Sequence, residues 1–257
     1  MAALVTGAGK RLGRAMALYL AGRGLDVAVH YASCMDEAAW VVAEIVAMGR
    51  RAVAVQADLL DEAQVETLVA RAVAALGQLT VLVNNASIFE YDTVQTGTRT
   101  SWDRAMESNL RAPFVLIQAF AAQCPQAGVD ENGEPLAQGL VVNMIDQRVQ
   151  KLTPEFASYT VAKMGLWALT RTAAQGLAPH VRVNGIGPGP TLQGGRQSAD
   201  HFARQRAATV LGRGAHPADV TAALGFFLDS PAVTGQMIAV DGGQHLAWKT
   251  PDVIGVE

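Results

Sequence analysis

Tyr159 and Lys163 stand four residues apart in the run YTVAK, and Asp146 precedes the tyrosine by one short loop. Residues four apart on a helix share one face, so phenol and ammonium point the same way. A free phenol loses its proton at about pH 10, and a nearby ammonium favours the phenolate, bringing it towards working pH. An ionised carboxylate accepts hydrogen bonds and donates none. Together the three groups could pass a proton to or from a bound substrate. The other reading of Asp146 is a loop cap, its carboxylate folded back on backbone N–H groups.

Hydrophobic patterning supplies the elements that would hold them. Residues 2–6 read as a short buried strand and 14–23 as a helix that stops at Gly24. Strands at 26–31, 52–56 and 79–83 alternate with helices at 36–48 and 61–76. In the second half, 100–124 reads as two helical pieces, 126–138 as a surface loop, 140–144 as a strand and 156–177 as a long helix. A strand at 181–186, helices at 200–208 and 217–229, and a last strand at 237–240 complete the chain. Such alternation predicts one α/β domain spanning 1–257, doubly wound, with a mostly parallel seven-stranded sheet and helices on both faces. Ligands of such folds bind at the carboxyl ends of the strands, where Thr6, Asp58, Asn85, Asp146 and Gly187 all fall.

The first strand–helix turn is TGAGKRLG, residues 6–13. Gly7 and Gly13 permit a tight turn and close approach to a pyrophosphate, and the following helix offers free N–H groups. Lys10 and Arg11 put two cations where phosphates would lie. The second strand ends His30-Tyr31-Ala32-Ser33, without the acidic residue that would hold an adenosine ribose and repel an added phosphate. Ser33 and Arg11 could meet that phosphate, which favours NADP(H) over NAD(H). His30 either joins them or closes the strand by packing.

The chain has 257 residues, half of them hydrophobic, 17% charged, with net charge −3. That balance suits a packed globular domain and gives no reason to expect nucleic acid or an anionic membrane as partner. Cys34 and Cys124 lie far apart with no metal-ligand spacing, which reads as reduced thiols in a cytoplasmic protein without a metal site. No apolar run reaches membrane-spanning length.

TGAGKRLG (6–13), AD (57–58), NNAS (84–87), SNL (108–110), YTVAK (159–163), RVNGIGPG (182–189) and VDGG (240–243) follow one another in an order and spacing that resemble the short-chain dehydrogenase/reductase superfamily. Arg11 in place of a middle glycine, Asp146 in place of serine, Phe89 after NNAS, and His30-Tyr31 resemble its pteridine reductase group, with the dihydromonapterin and dihydrofolate reductases. The resemblance implies that Asp146, Tyr159 and Lys163 are catalytic, with Asn109 steadying the active-site helix and a water leading to the lysine. It implies cofactor contacts from Leu12, Asp58, Leu59, Asn85, Ala86, Ser87, Met144, Pro188, Gly189, Thr191 and Leu192, beside the glycine-turn residues, Tyr159 and Lys163. Arg11, Ser87, Phe89, Asp146, Tyr159 and Leu192 would meet the substrate, Phe89 by stacking on a pterin unless it is an ordinary rim aromatic. Residues 188–212 would form a mobile lid, and the tail around Leu246 and Trp248 would pack in a homotetramer. The implied reaction is NADPH-dependent reduction of a pterin or dihydrofolate. The competing expectations are a reductase of 3-ketoacyl thioesters or sugar ketones and a non-catalytic nucleotide-binding subunit.

Overall fold

The computed structural model describes residues 1–195 and 197–249, so Arg196 of the expected lid and the last eight positions of the expected 1–257 domain lie outside the described residues. Its core is a parallel sheet in the order β3 (Ala52–Gln56), β2 (Asp26–Tyr31), β1 (Ala2–Val5), β4 (Leu79–Asn84), β7 (Gly139–Met144), β8 (Val181–Pro188), β9 (Met237–Val240). The order reverses direction between β1 and β4, which opens a crevice at their carboxyl ends.

Strand side chains alternate between faces. Ala3, Val5, Val27 and Val29 pack beneath α1 (Arg11–Gly22), α2 (Met35–Ala47) and α8 (Pro217–Asp229). Leu4, Ala28, Leu82 and Val141 pack on the other face against α3 (Glu62–Leu76), α5 (Ala112–Gln123) and the end of α6 (Ala157–Gly176). Burial on both faces explains why these strands read as continuous apolar runs.

Three local expectations change. Helix α1 begins at Arg11 rather than residue 14, because the glycine turn leads straight into it. The polar stretch 126–138 carries a small hairpin, β5 (Gly128–Val129) against β6 (Pro135–Leu136), whose turn is fixed by Asp130 accepting from Asn132 and Glu134 N–H groups. The expected break near residue 112 is instead a π turn, Glu107–Arg111, that joins α4 (Arg99–Met106) to α5 without interruption. Such single turns of wider helix often mark functional sites, and Asn109 lies inside this one.

Candidate active site

The carboxyl ends of β1, β4, β7 and β8 form the floor of one open cleft of about 1050 Å³, and the chain between β2 and α2 together with α7 (Ala199–Ala207) forms its rim. The floor is tied together by side chains. Thr6 Oγ1 accepts from the N–H groups of Asn85 and Ala86, and Asn85 Nδ2 donates to the Thr6 carbonyl, so the ends of β1 and β4 are locked. Asn84 donates to Asn143 at 2.8 Å, and Asn143 donates to Thr170 at 2.9 Å. That buried chain crosses from β4 through β7 to α6 and fixes the helix that carries Tyr159 and Lys163.

Gly7 takes φ +61, a left-handed turn that favours glycine. A Cβ on Gly13 would stand 2.1 Å from the Gly7 carbonyl oxygen and 2.6 Å from Asn85 Nδ2. The turn therefore closes only because both positions lack side chains. Arg11 also has positive φ, and its guanidinium donates to the carbonyls of Gln193 and Leu192 across the mouth. Lys10 lines the cleft and pairs with Glu37 at 3.4 Å, in solvent. Leu12, Ser33, Ala86, Ser87, Met144, Pro188, Gly189, Thr191 and Leu192 also line it.

Three residues expected at the cofactor do not line the cleft. His30 is buried beneath the glycine turn. Its Nδ1 accepts from the Gly7 N–H at 2.9 Å, and its Nε2 faces the Ala57 carbonyl at 3.0 Å, which makes Nε2 the protonated nitrogen. Burial lowers its pKa to about 4 and keeps the ring neutral. From beneath, its ring fixes the shape of the glycine turn. Asp58 turns back to cap the Leu60 N–H, and Leu59 packs into the core near α3.

At the other end of the cleft, Tyr159 Oη donates to Asp146 Oδ2 at 2.9 Å. Asp146 Oδ1 accepts from the Arg148 N–H at 2.8 Å, so the carboxylate is both a loop cap and a partner of the phenol. Lys163 is buried; its Nζ donates to the Met144 carbonyl at 2.8 Å and lies 5.5 Å from the Tyr159 ring centre. The expected lowering of the tyrosine is reversed. Burial, then the Asp146 carboxylate, push the phenol well above its ordinary value, outweighing the Arg148 charge and a Ser87 hydrogen bond that act the other way. Burial also raises Asp146 and lowers Lys163 to about 8. At neutral pH the proton sits on Tyr159, poised to be given rather than taken.

Asn109 is fully buried behind this group. It accepts from Ser87 Oγ at 2.6 Å and donates to the carbonyls of Ala105 and Ile88. Phe89 stands at the cleft, stacked on Phe156 at 4.1 Å and edge-on to Tyr159 at 4.7 Å. Phe156, Arg148 and the α7 residues His201, Phe202 and Gln205 also line the cleft, and the sequence reading named none of them. The signal for Phe156 was present: it precedes Tyr159 by one helical turn. Asp92 gave no such signal. It is buried, accepts from the backbone N–H and hydroxyl of Ser158, and so holds the start of α6.

Residues 7–245 match the family model described as enoyl-(acyl carrier protein) reductase. The chain belongs to the short-chain dehydrogenase/reductase family. Among curated relatives of this family, the 3-oxoacyl-[acyl-carrier-protein] reductase FabG of Staphylococcus aureus is 32% identical over 95% of this chain and 98% of its own. Among solved structures of short-chain reductases, FolM alternative dihydrofolate reductase 1 from Brucella suis, in complex with NADP, superposes with TM-score 0.90 at 42% identity, covering 98% of each chain. A short-chain dehydrogenase from Burkholderia cenocepacia, also with NADP, gives TM-score 0.85 at 31% identity over 95% and 97%. This short-chain reductase is an NADP-dependent oxidoreductase. The residues present suit that cofactor: the glycine turn at a helix N-terminus could take a pyrophosphate, Arg11 and Ser33, with no acid ending the second strand, could meet an added phosphate, and Lys163 and Tyr159 line the same cleft.

Proposed function

We propose that this enzyme reduces a pteridine ring, that of dihydrofolate or a dihydropterin, at the expense of NADPH. The observation that carries this reading is the Tyr159–Asp146 pair. A ketone oxygen needs donors around it, and a carboxylate offers none. A reduced pterin presents ring N–H groups that a carboxylate can accept and an imine nitrogen that must be protonated. The 42% identity to the FolM protein supports the same substrate class.

When bound in the cleft, NADPH would supply the hydride for the carbon of the ring C=N bond, itself becoming NADP⁺. Tyr159 gives its proton to the adjacent nitrogen, so that the bond becomes CH–NH. Asp146 holds the phenol by accepting its hydrogen bond, and after the transfer the tyrosine is recharged from solvent. Lys163, fixed by the Met144 carbonyl, provides the positive charge that offsets the transient phenolate. Phe89 supplies a flat apolar wall for the ring. Arg11, which clasps Leu192 and Gln193, lets cofactor and lid compete for one guanidinium, consistent with a lid over 188–212. The working enzyme is a cytoplasmic homotetramer.

The FabG relatives favour a second reading, reduction of a 3-ketoacyl thioester. Purified enzyme mixed with NADPH and either dihydrofolate, dihydrobiopterin or an acetoacetyl thioester separates the two. Faster NADPH loss with a pterin substrate is expected. Acceleration by the thioester alone would overturn the pteridine reading.

A further inference from the structure

On the wall beside Asp146 stands a fixed cation. Arg148 Nη1 donates to Thr153 Oγ1 and, at 3.4 Å, to the Glu155 carbonyl, and its guanidinium lies 5.2 Å from the Phe156 ring centre. Its buried Nε has no hydrogen-bond partner, and among the described residues no carboxylate forms an ion pair with it. Glu155 contributes its backbone carbonyl to this clasp. Two neutral acceptors and a ring hold the guanidinium in place within the cleft, and Asp146 is the carboxylate whose charge reaches it, without ion-pair contact. Orienting a guanidinium costs side-chain entropy, and an anion meeting it there encounters a site already organised.

The surface leading to Arg148 is aromatic. Phe89 stacks on Phe156, and Phe156 meets exposed Tyr91 edge-to-face at 5.2 Å. The strip runs from Tyr159 outward to solvent, with the guanidinium over its middle. In a 7,8-dihydropterin the carbon that receives hydride also carries the side chain, so that side chain leaves the ring next to Tyr159 and enters this strip.

Building on the pteridine reading, we infer that Arg148 is a specificity residue that binds the carboxylate of an aryl-carboxylate side chain, so that the preferred substrate is a folate-type dihydropterin rather than one with a neutral side chain. The flat benzoyl group suits the aromatic strip, and the glutamate anion suits the cation. The backbone N–H of Arg148, which holds Asp146, is independent of the side chain and survives its replacement.

The test is the ratio of kcat/KM for dihydrofolate to that for dihydrobiopterin, whose side chain is neutral. Wild type should favour dihydrofolate. Arg148→Met should lower the ratio about 10- to 100-fold, mainly through KM for dihydrofolate, and Arg148→Lys should recover part of it. A ratio unchanged in Arg148→Met would overturn the inference. In wild type, added salt should raise KM for dihydrofolate and leave that for dihydrobiopterin flat, a readout that needs no variant to fold. Equal salt response of both substrates would likewise overturn it. Wild type that reduces neither pterin would defeat the pteridine reading itself, whereas reduction of both without discrimination defeats only the role of Arg148.

Discussion

Asp146 accepts where a serine would donate, and on the proposed pteridine reading that difference would decide which substrate atom can face it. It also sets the protonation of its neighbour: the carboxylate and burial hold Tyr159 protonated, which suits a proton donor in reduction. Asp146→Ser should therefore lower pterin turnover about 100-fold or more while NADPH affinity, measured by fluorescence titration, changes less than about threefold. Turnover that survives the change would leave Asp146 only its loop-capping bond to Arg148. The same group acts on Lys163. Burial depresses the ammonium to about 8 and Asp146 opposes that. Turnover should fall on the alkaline side of about pH 8 as the ammonium is lost. In Asp146→Asn, the residual rate should show that limb at lower pH; an unmoved limb would assign it to another group.

Among the elements, the glycine turn depends on a residue beneath it. His30 fills the one buried N–H of Gly7, and its own strand hydrogen-bonds Ala8. The ring has an ordinary value of 6.5 when exposed and about 4 when buried here. Between those values the unfolded chain binds more protons than the folded one, so stability falls as pH drops from 6.5 to 4. The loss should reach about 3 kcal/mol at most. Urea unfolding at pH 7 and pH 4.5 measures it, and His30→Leu should show a smaller difference between the two. That variant should also bind NADPH more weakly, because the Gly7 N–H is left without an acceptor.

At the level of the whole molecule, the outer faces of α4, α5 and α6 expose Trp102, Phe114, Val161 and Met164, and the far edge exposes Phe226, Leu246 and Trp248. Apolar groups on two separate faces are what an assembly with two kinds of interface requires. Light scattering coupled to gel filtration should return four times the 27.0 kDa chain. Replacing Phe226 and Trp248 by charged residues should give a smaller species that still binds NADPH.

Strand and helix order, the parallel sheet and the cleft at its carboxyl edge followed from the sequence, because strands buried on both faces and helices with one apolar stripe leave direct marks in hydrophobic periodicity. The Tyr159–Lys163 pair and the glycine turn were legible for the same reason, since their spacing is local. What the fold alone decided are relations between distant positions. His30 lies beneath the glycine turn, Asp92 holds the start of the helix that carries Tyr159 and Lys163, and Arg148 and Phe156 join Phe89 at the cleft. The direction of the tyrosine's shift was likewise unreadable in one dimension. The sequence offers a lysine one helical turn away, but burial and the distance to each charge set the balance, and both exist only once the chain has folded.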